Sequence, residues 1–99
     1  MNYKVRYTFA AKEDLKRLFT FLAKQDLQAA KRARNAIADG MQLLQQFPFT
    51  CRKAVPENSL LRELVISFGS AGYVALFEID DNETVTILAV RHQREDDFY

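Results

Sequence analysis

The spacing of apolar residues changes twice along the chain. In NYKVRYT, Tyr3, Val5 and Tyr7 alternate with Asn2, Lys4, Arg6 and Thr8, the two-residue period of a half-buried strand. After Thr8 the period lengthens. Leu15, Leu18, Phe19 and Leu22 fall at i, i+3, i+4 and i+7, so one apolar stripe runs along a helix from about Phe9 to Lys24, with Lys12, Glu13, Lys16 and Arg17 toward water. Thr8 stands where its hydroxyl can accept from an orphan amide of the first turn. Asp26 is the next cap, and Ala30, Ala33, Ile37, Met41 and Leu44 trace a second stripe to about Phe47, where Pro48 stops the helix. The two helices, joined at KQD, form a hairpin. The alanines allow close approach, and Lys31, Arg32 and Arg34 point outward.

From Pro48 to Ser59, PFTCRKAVPENS follows neither period and holds both prolines, so it reads as an irregular loop. Beyond it, LLRELVIS and YVALFEI are strand-like runs around the glycine-containing turn FGSAG, and DDNE turns the chain into TVTILAVR. These three make an antiparallel meander. The order is β-α-α-β-β-β, an α+β fold in which the first strand completes a four-stranded antiparallel sheet and the helical hairpin covers one face.

Ninety-nine residues that are 48% hydrophobic suffice for one modest core, so residues 1–99 are read as a single domain. Fourteen basic against thirteen acidic residues give a net charge of +1, which lacks the basic excess of a general nucleic-acid binder. The start MNYKVRYTF has no leader-like pattern and no window approaches a membrane span, so a cytoplasmic protein is expected. One cysteine, Cys51, and one histidine provide neither an internal disulfide nor a zinc ligand set. Cys51 reads as a reduced loop thiol rather than a nucleophile, because no activating base stands near it in sequence. No cofactor or metal is implied.

The segments RELVISFGSAGYVALFEID and VTILAVRHQRE, with AAKEDLKRLFTFLAKQD upstream, resemble the RelE/ParE superfamily of toxins from bacterial type II toxin–antitoxin modules, most closely its ParE-like branch. The likeness spans nearly the whole chain and rests chiefly on Arg62-Glu63-Leu64, Gly72-Tyr73 and Arg91-His92-Gln93-Arg94. It implies the same β-α-α-β-β-β core, a cognate antitoxin as partner and a role in plasmid stabilisation through growth arrest.

Two activities occur in that superfamily. The RelE-like branch cleaves messenger RNA on the ribosome, and the ParE-like branch inhibits DNA gyrase by binding. Cleavage of that kind needs an activated 2'-hydroxyl, a stabilised phosphate charge and a protonated leaving oxygen, hence several cations converging with a Tyr, His or Glu. Aligned on Gly72-Tyr73, the nuclease pattern places lysines near Val65 and Ser67 and an arginine near Val74, and this chain has none there. On the last strand the nuclease arginine falls at about Gln93 and the following aromatic at Tyr99, with Arg91 and Arg94 displaced by a residue or two. Gyrase inhibition, with no catalytic residue, is therefore the preferred expectation. An mRNA endonuclease and a non-toxic antitoxin-binding module are the alternatives. Nucleic acid would be met only through the antitoxin or, in the first alternative, as ribosome-bound mRNA.

The residues expected to contact the target are Arg91, His92, Arg94, Tyr99 and Arg62. Four of them have another reading beside this one. Arg62 with Glu63 is equally a sheet-edge ion pair, Arg91 and Arg94 equally partners of Glu95, Asp96 or Asp97, and His92 either a base or a contact residue. Tyr73 and Phe77 read as core. With only about eight residues after the last strand, apolar surface beside the hairpin is expected to stay open for a partner, an antitoxin segment that folds as it binds.

Overall fold

The computed structural model describes residues 2–94. In chain order these form β1 (Lys4–Tyr7), α1 (Phe9–Gln25), α2 (Leu27–Leu44), a 3-10 turn (Pro48–Thr50), β2 (Arg52–Val55), β3 (Asn58–Phe68), β4 (Ala71–Ile79) and β5 (Thr84–His92). The α+β class and the hairpin on one sheet face agree with the sequence pattern. Both caps form as read: Thr8 Oγ1 accepts from the Ala11 amide at 3.0 Å and Asp26 Oδ1 from the Ala29 amide at 3.1 Å. Asp26 alone separates the helices, its own amide closing α1 on the Leu22 carbonyl. Among the described residues no helix is long and apolar enough to cross a membrane.

The sheet differs from the expectation in two respects. It has five strands, in the order β1-β5-β4-β3-β2, and β1 runs parallel to β5. The direction follows from the connections: one helix up and one down return the chain to the end where β1 began, and three meander strands then bring β5 up beside β1. The fifth strand comes from within the segment read as a loop. Arg52–Val55 pairs with β3 through Arg52 opposite Glu63 and Val55 opposite Asn58, and β3 accordingly begins at Asn58. Four residues with an irregular register offer no alternation to detect. Helix α2 also ends at Leu44, three residues before the expected stop, and Pro48 opens the 3-10 turn instead.

The core lies between the hairpin and one sheet face. All five residues of the second stripe, Ala30, Ala33, Ile37, Met41 and Leu44, are buried, with Leu64, Ile66, Tyr73, Phe77, Val85 and Ile87 opposite. On α1 only Ala11 and Leu18 are buried, while Leu15, Phe19 and Leu22 remain half-buried. Between β3 and β4 the Gly69-Ser70 turn has positive φ only at Gly69 (63°), the first central position, as a type II' hairpin requires.

Strand β5 carries a bulge that sets the facing of everything after it. Phe77 pairs with Ile87 but Leu76 with Ala89, so Leu88 is the extra residue. The inward set becomes Val85, Ile87, Val90 and His92, and the burial of Val85, Ile87 and Val90 follows the same shift. A regular ladder would have carried Arg91, rather than His92, onto the helix side.

Candidate functional site

The expected contact residues separate into three places. His92 lies opposite Tyr73 on the helix-facing side, their rings edge to face with centroids 5.5 Å apart. Its Nδ1 accepts the Arg94 backbone N–H at 3.2 Å, which leaves the proton of the neutral ring on Nε2. Arg94 reaches across to the β3–β4 turn, with Nη2 3.4 Å from Ser70 Oγ, and the Gln93 amide donates to the Gly72 carbonyl at 2.8 Å. Backbone pairing therefore extends one residue beyond the strand and holds these side chains at a fixed edge. Tyr73 itself is buried, and burial pushes its hydroxyl above the ordinary phenol range.

Arg91 points to the opposite sheet face. Its partner there is Val74, which in turn pairs with Val65. Cross-strand neighbours are the unit of interaction on a sheet face, and here they are apolar. The structure thus does not gather Arg91, His92 and Arg94 on one surface: the pair His92 and Arg94 shares a groove lip, and Arg91 stands behind it. Tyr99 lies outside the described residues.

Arg62 sits midway along β3, four residues from the Ile66 that pairs with Tyr73, or roughly 13 Å along the strand. Its guanidinium donates to the carbonyls of Ser59 (2.7 Å), Phe49 (3.1 Å) and Cys51 (2.8 Å) and lies over the Phe49 ring at 5.3 Å. The Arg62–Glu63 ion pair read from adjacency does not form, because neighbours on a strand face opposite sides. Glu63 pairs instead with Arg52, 2.9 Å away across the hairpin. Arg62 thus clamps the segment between α2 and β2. Cys51 is not a simple loop thiol either. It is part of the core, and burial pushes its pKa up against a weaker downward pull from Arg62, the opposite of nucleophile activation.

A groove of about 670 Å³ runs from the His92–Arg94 lip along α1, with Phe21, Leu22, Phe68 and Arg17 among its walls. Leu18, Leu22 and Tyr73 are shared with an open apolar cavity of about 390 Å³ between the helices and the sheet, where Ile37 and Met41 form part of the lining. Phe21 and Leu27, at the hairpin end, are 65% and 49% exposed. Arg17 is exposed, as its helix position predicts, but its place on the groove wall and that of Ser70 are not legible in the sequence. Neither has a local signal, since each joins the site through tertiary approach of α1 and the β3–β4 turn. Among the described residues no cluster of three or more His, Cys, Asp or Glu side chains is arranged to hold a metal.

A two-helix hairpin on one face of a small mixed sheet has known counterparts. Residues 5–97 match the family described as ParE toxin of type II toxin-antitoxin system, parDE. The chain belongs to the ParE toxin family. Among solved structures it is similar to the chromosomal ParDE toxin–antitoxin system of P. aeruginosa, with a TM-score of 0.73 and 19% identity over 91% of this chain and 95% of that one. That likeness is one of fold. It is also similar to the toxin–antitoxin complex RelBE2 of Mycobacterium tuberculosis, with a TM-score of 0.57 and 26% identity over 93% of this chain and 99% of the other. No curated protein sequence matches significantly. The family match thus takes in every helix and nearly all of the sheet of the described chain.

Proposed function

We propose that this ParE-family toxin inhibits DNA gyrase by binding it through the end of β5, and that an antitoxin seated along the helical hairpin holds it inactive. The observation that carries this reading is the character of the strand end. His92 and Arg94 are held at a groove lip by backbone pairing, while the face around Arg91 is built from Val74 and Val65. Phosphodiester cleavage asks for several cations and a base converging on one phosphate. Tight binding to a large partner asks for a few rigidly presented groups, Arg prominent among them, beside apolar surface. The second description fits the arrangement better.

Binding of an antitoxin is supported by the open cavity and by the exposed Phe21 and Leu27, which an amphipathic segment would cover. Both solved structures described above are themselves toxin–antitoxin systems. The module acts in the cytoplasm, in a plasmid-stabilisation role. Arg62 contributes by fixing the segment before β2, and Arg91 from the second sheet face.

The test is induction of the chain without antitoxin. Growth arrest is expected from the wild type and its loss from the folded Arg91→Ala, His92→Ala, Arg94→Ala triple variant. Undiminished arrest by a folded triple variant moves the toxic surface elsewhere, and absence of arrest by the wild type makes the chain a non-toxic antitoxin-binding module.

A further inference from the structure

Strand β5 loses its neighbour just where its bulge begins. β1 ends at Tyr7, opposite Ile87, so the backbone groups of Leu88 and Val90 on that side have no strand to pair with. The start of α1 replaces it. The Thr8 amide donates to the Ile87 carbonyl at 3.0 Å, Thr8 Oγ1 donates to the Leu88 carbonyl at 3.2 Å, and the Val90 amide donates to Asp14 Oδ2 at 2.9 Å. The last bond is charge-assisted, which roughly doubles its strength over a neutral one. Asp14 is partly buried and stands 3.7 Å from Arg17 on the same helix.

We infer that Asp14, helped by Thr8, is a positioning residue that locks β5 in its bulged phase and thereby decides which side chain reaches the groove. In the observed phase Tyr73 faces His92 and Val74 faces Arg91. Continued without the bulge from the Phe77–Ile87 pair, the ladder would place Arg91 against Tyr73 and Val90 on the outer face. Burial of Val90 favours the observed phase, and Asp14 adds a hydrogen bond that exists only there. An aspartate on the sheet-facing side of α1, between the buried Ala11 and Leu18, thus sets the orientation of His92, four residues beyond the bulge. Its bearing on toxicity rests on the strand-end reading above.

The experiment compares Asp14→Ala, Asp14→Asn and Arg17→Ala in the full chain by amide exchange, Tyr73–His92 ring contacts in NMR, and growth arrest on induction. Asp14→Ala is expected to speed exchange at Val90 on the order of ten-fold or more, to weaken the ring contact and to reduce arrest. Asp14→Asn, which keeps an acceptor oxygen, restores most of each, and Arg17→Ala changes neither exchange nor the ring contact. Unchanged Val90 protection and ring contact in Asp14→Ala overturn the positioning role. If both are lost while arrest persists, the comparison with the triple variant assigns the failure. A triple variant that has lost arrest overturns the inference alone, and one that still arrests growth overturns the strand-end reading.

Discussion

Leu18 and Leu44 carry the same side chain and lie on the same apolar layer, yet their truncation is predicted to differ sharply. Leu44 is wholly buried at the end of α2, whereas Leu18, 8% exposed, forms part of the wall of the open cavity and of the groove. Leu→Ala removes three carbons, a transfer loss of about 2.4 kcal/mol at about 0.8 per methylene. At Leu44 the emptied volume, roughly 80 Å³, stays enclosed and adds about 2 kcal/mol, bringing the total to about 4.5. At Leu18 the emptied volume merges with space already open, so little is added and the loss stays near about 2.5 kcal/mol. For a domain of this size a gap of about 2 kcal/mol separates the melting temperatures by roughly 8–16 °C. Thermal denaturation followed by circular dichroism, with Arg32→Ala as an outward control expected within about 0.5 kcal/mol of wild type, measures it. Equal shifts for Leu18→Ala and Leu44→Ala would refute the claim that the hairpin is incompletely filled.

Gly72→Ala should destabilise the sheet by at least about 3 kcal/mol in urea titration, because its Cβ would stand 2.0 Å from the Ile66 carbonyl oxygen, a backbone atom that cannot step aside. Arg62→Ala should cost about 1–2 kcal/mol through three lost carbonyl contacts, and Arg52→Ala under about 1 because its pair with Glu63 is exposed; equal losses in the same titration would deny Arg62 its clamping role. The Cys51 thiol, raised by burial from 9.0, holds its proton longer in the folded than in the unfolded chain. Its stabilising contribution is therefore complete below about pH 9 and is lost as pH rises through the folded value, with Tyr7 and Tyr73, raised by burial from 10.0, adding to the loss at higher pH. Denaturation midpoints between pH 7 and 11 should fall less steeply in Cys51→Ala, and an unchanged slope would contradict the assignment to this thiol.

Where function and packing share a local period, the sequence was readable. The caps at Thr8 and Asp26, the α2 stripe and the meander each follow from spacing within one segment, and Tyr73 and Phe77 are core as their strand spacing suggests. What stayed hidden depends on how segments meet. Nothing in KVRY says that it lies parallel to β5, and RKAV is too short to announce a strand. The bulge did leave a mark: Val85, Ile87 and Val90 break the two-residue period by one position, and that break puts His92 rather than Arg91 on the helix side. Arg62 was read by its neighbour in sequence, Glu63, when its partners are carbonyls brought close by the fold of the β2 hairpin.

The most direct test of the account is a DNA gyrase supercoiling assay, with and without ATP, run beside a ribosome-dependent mRNA cleavage assay on the same purified chain. Inhibition of gyrase by the wild type, lost in a folded His92→Ala, Arg94→Ala variant and with no mRNA cleavage, is the predicted result. Untouched gyrase together with messenger cleavage on the ribosome would contradict it.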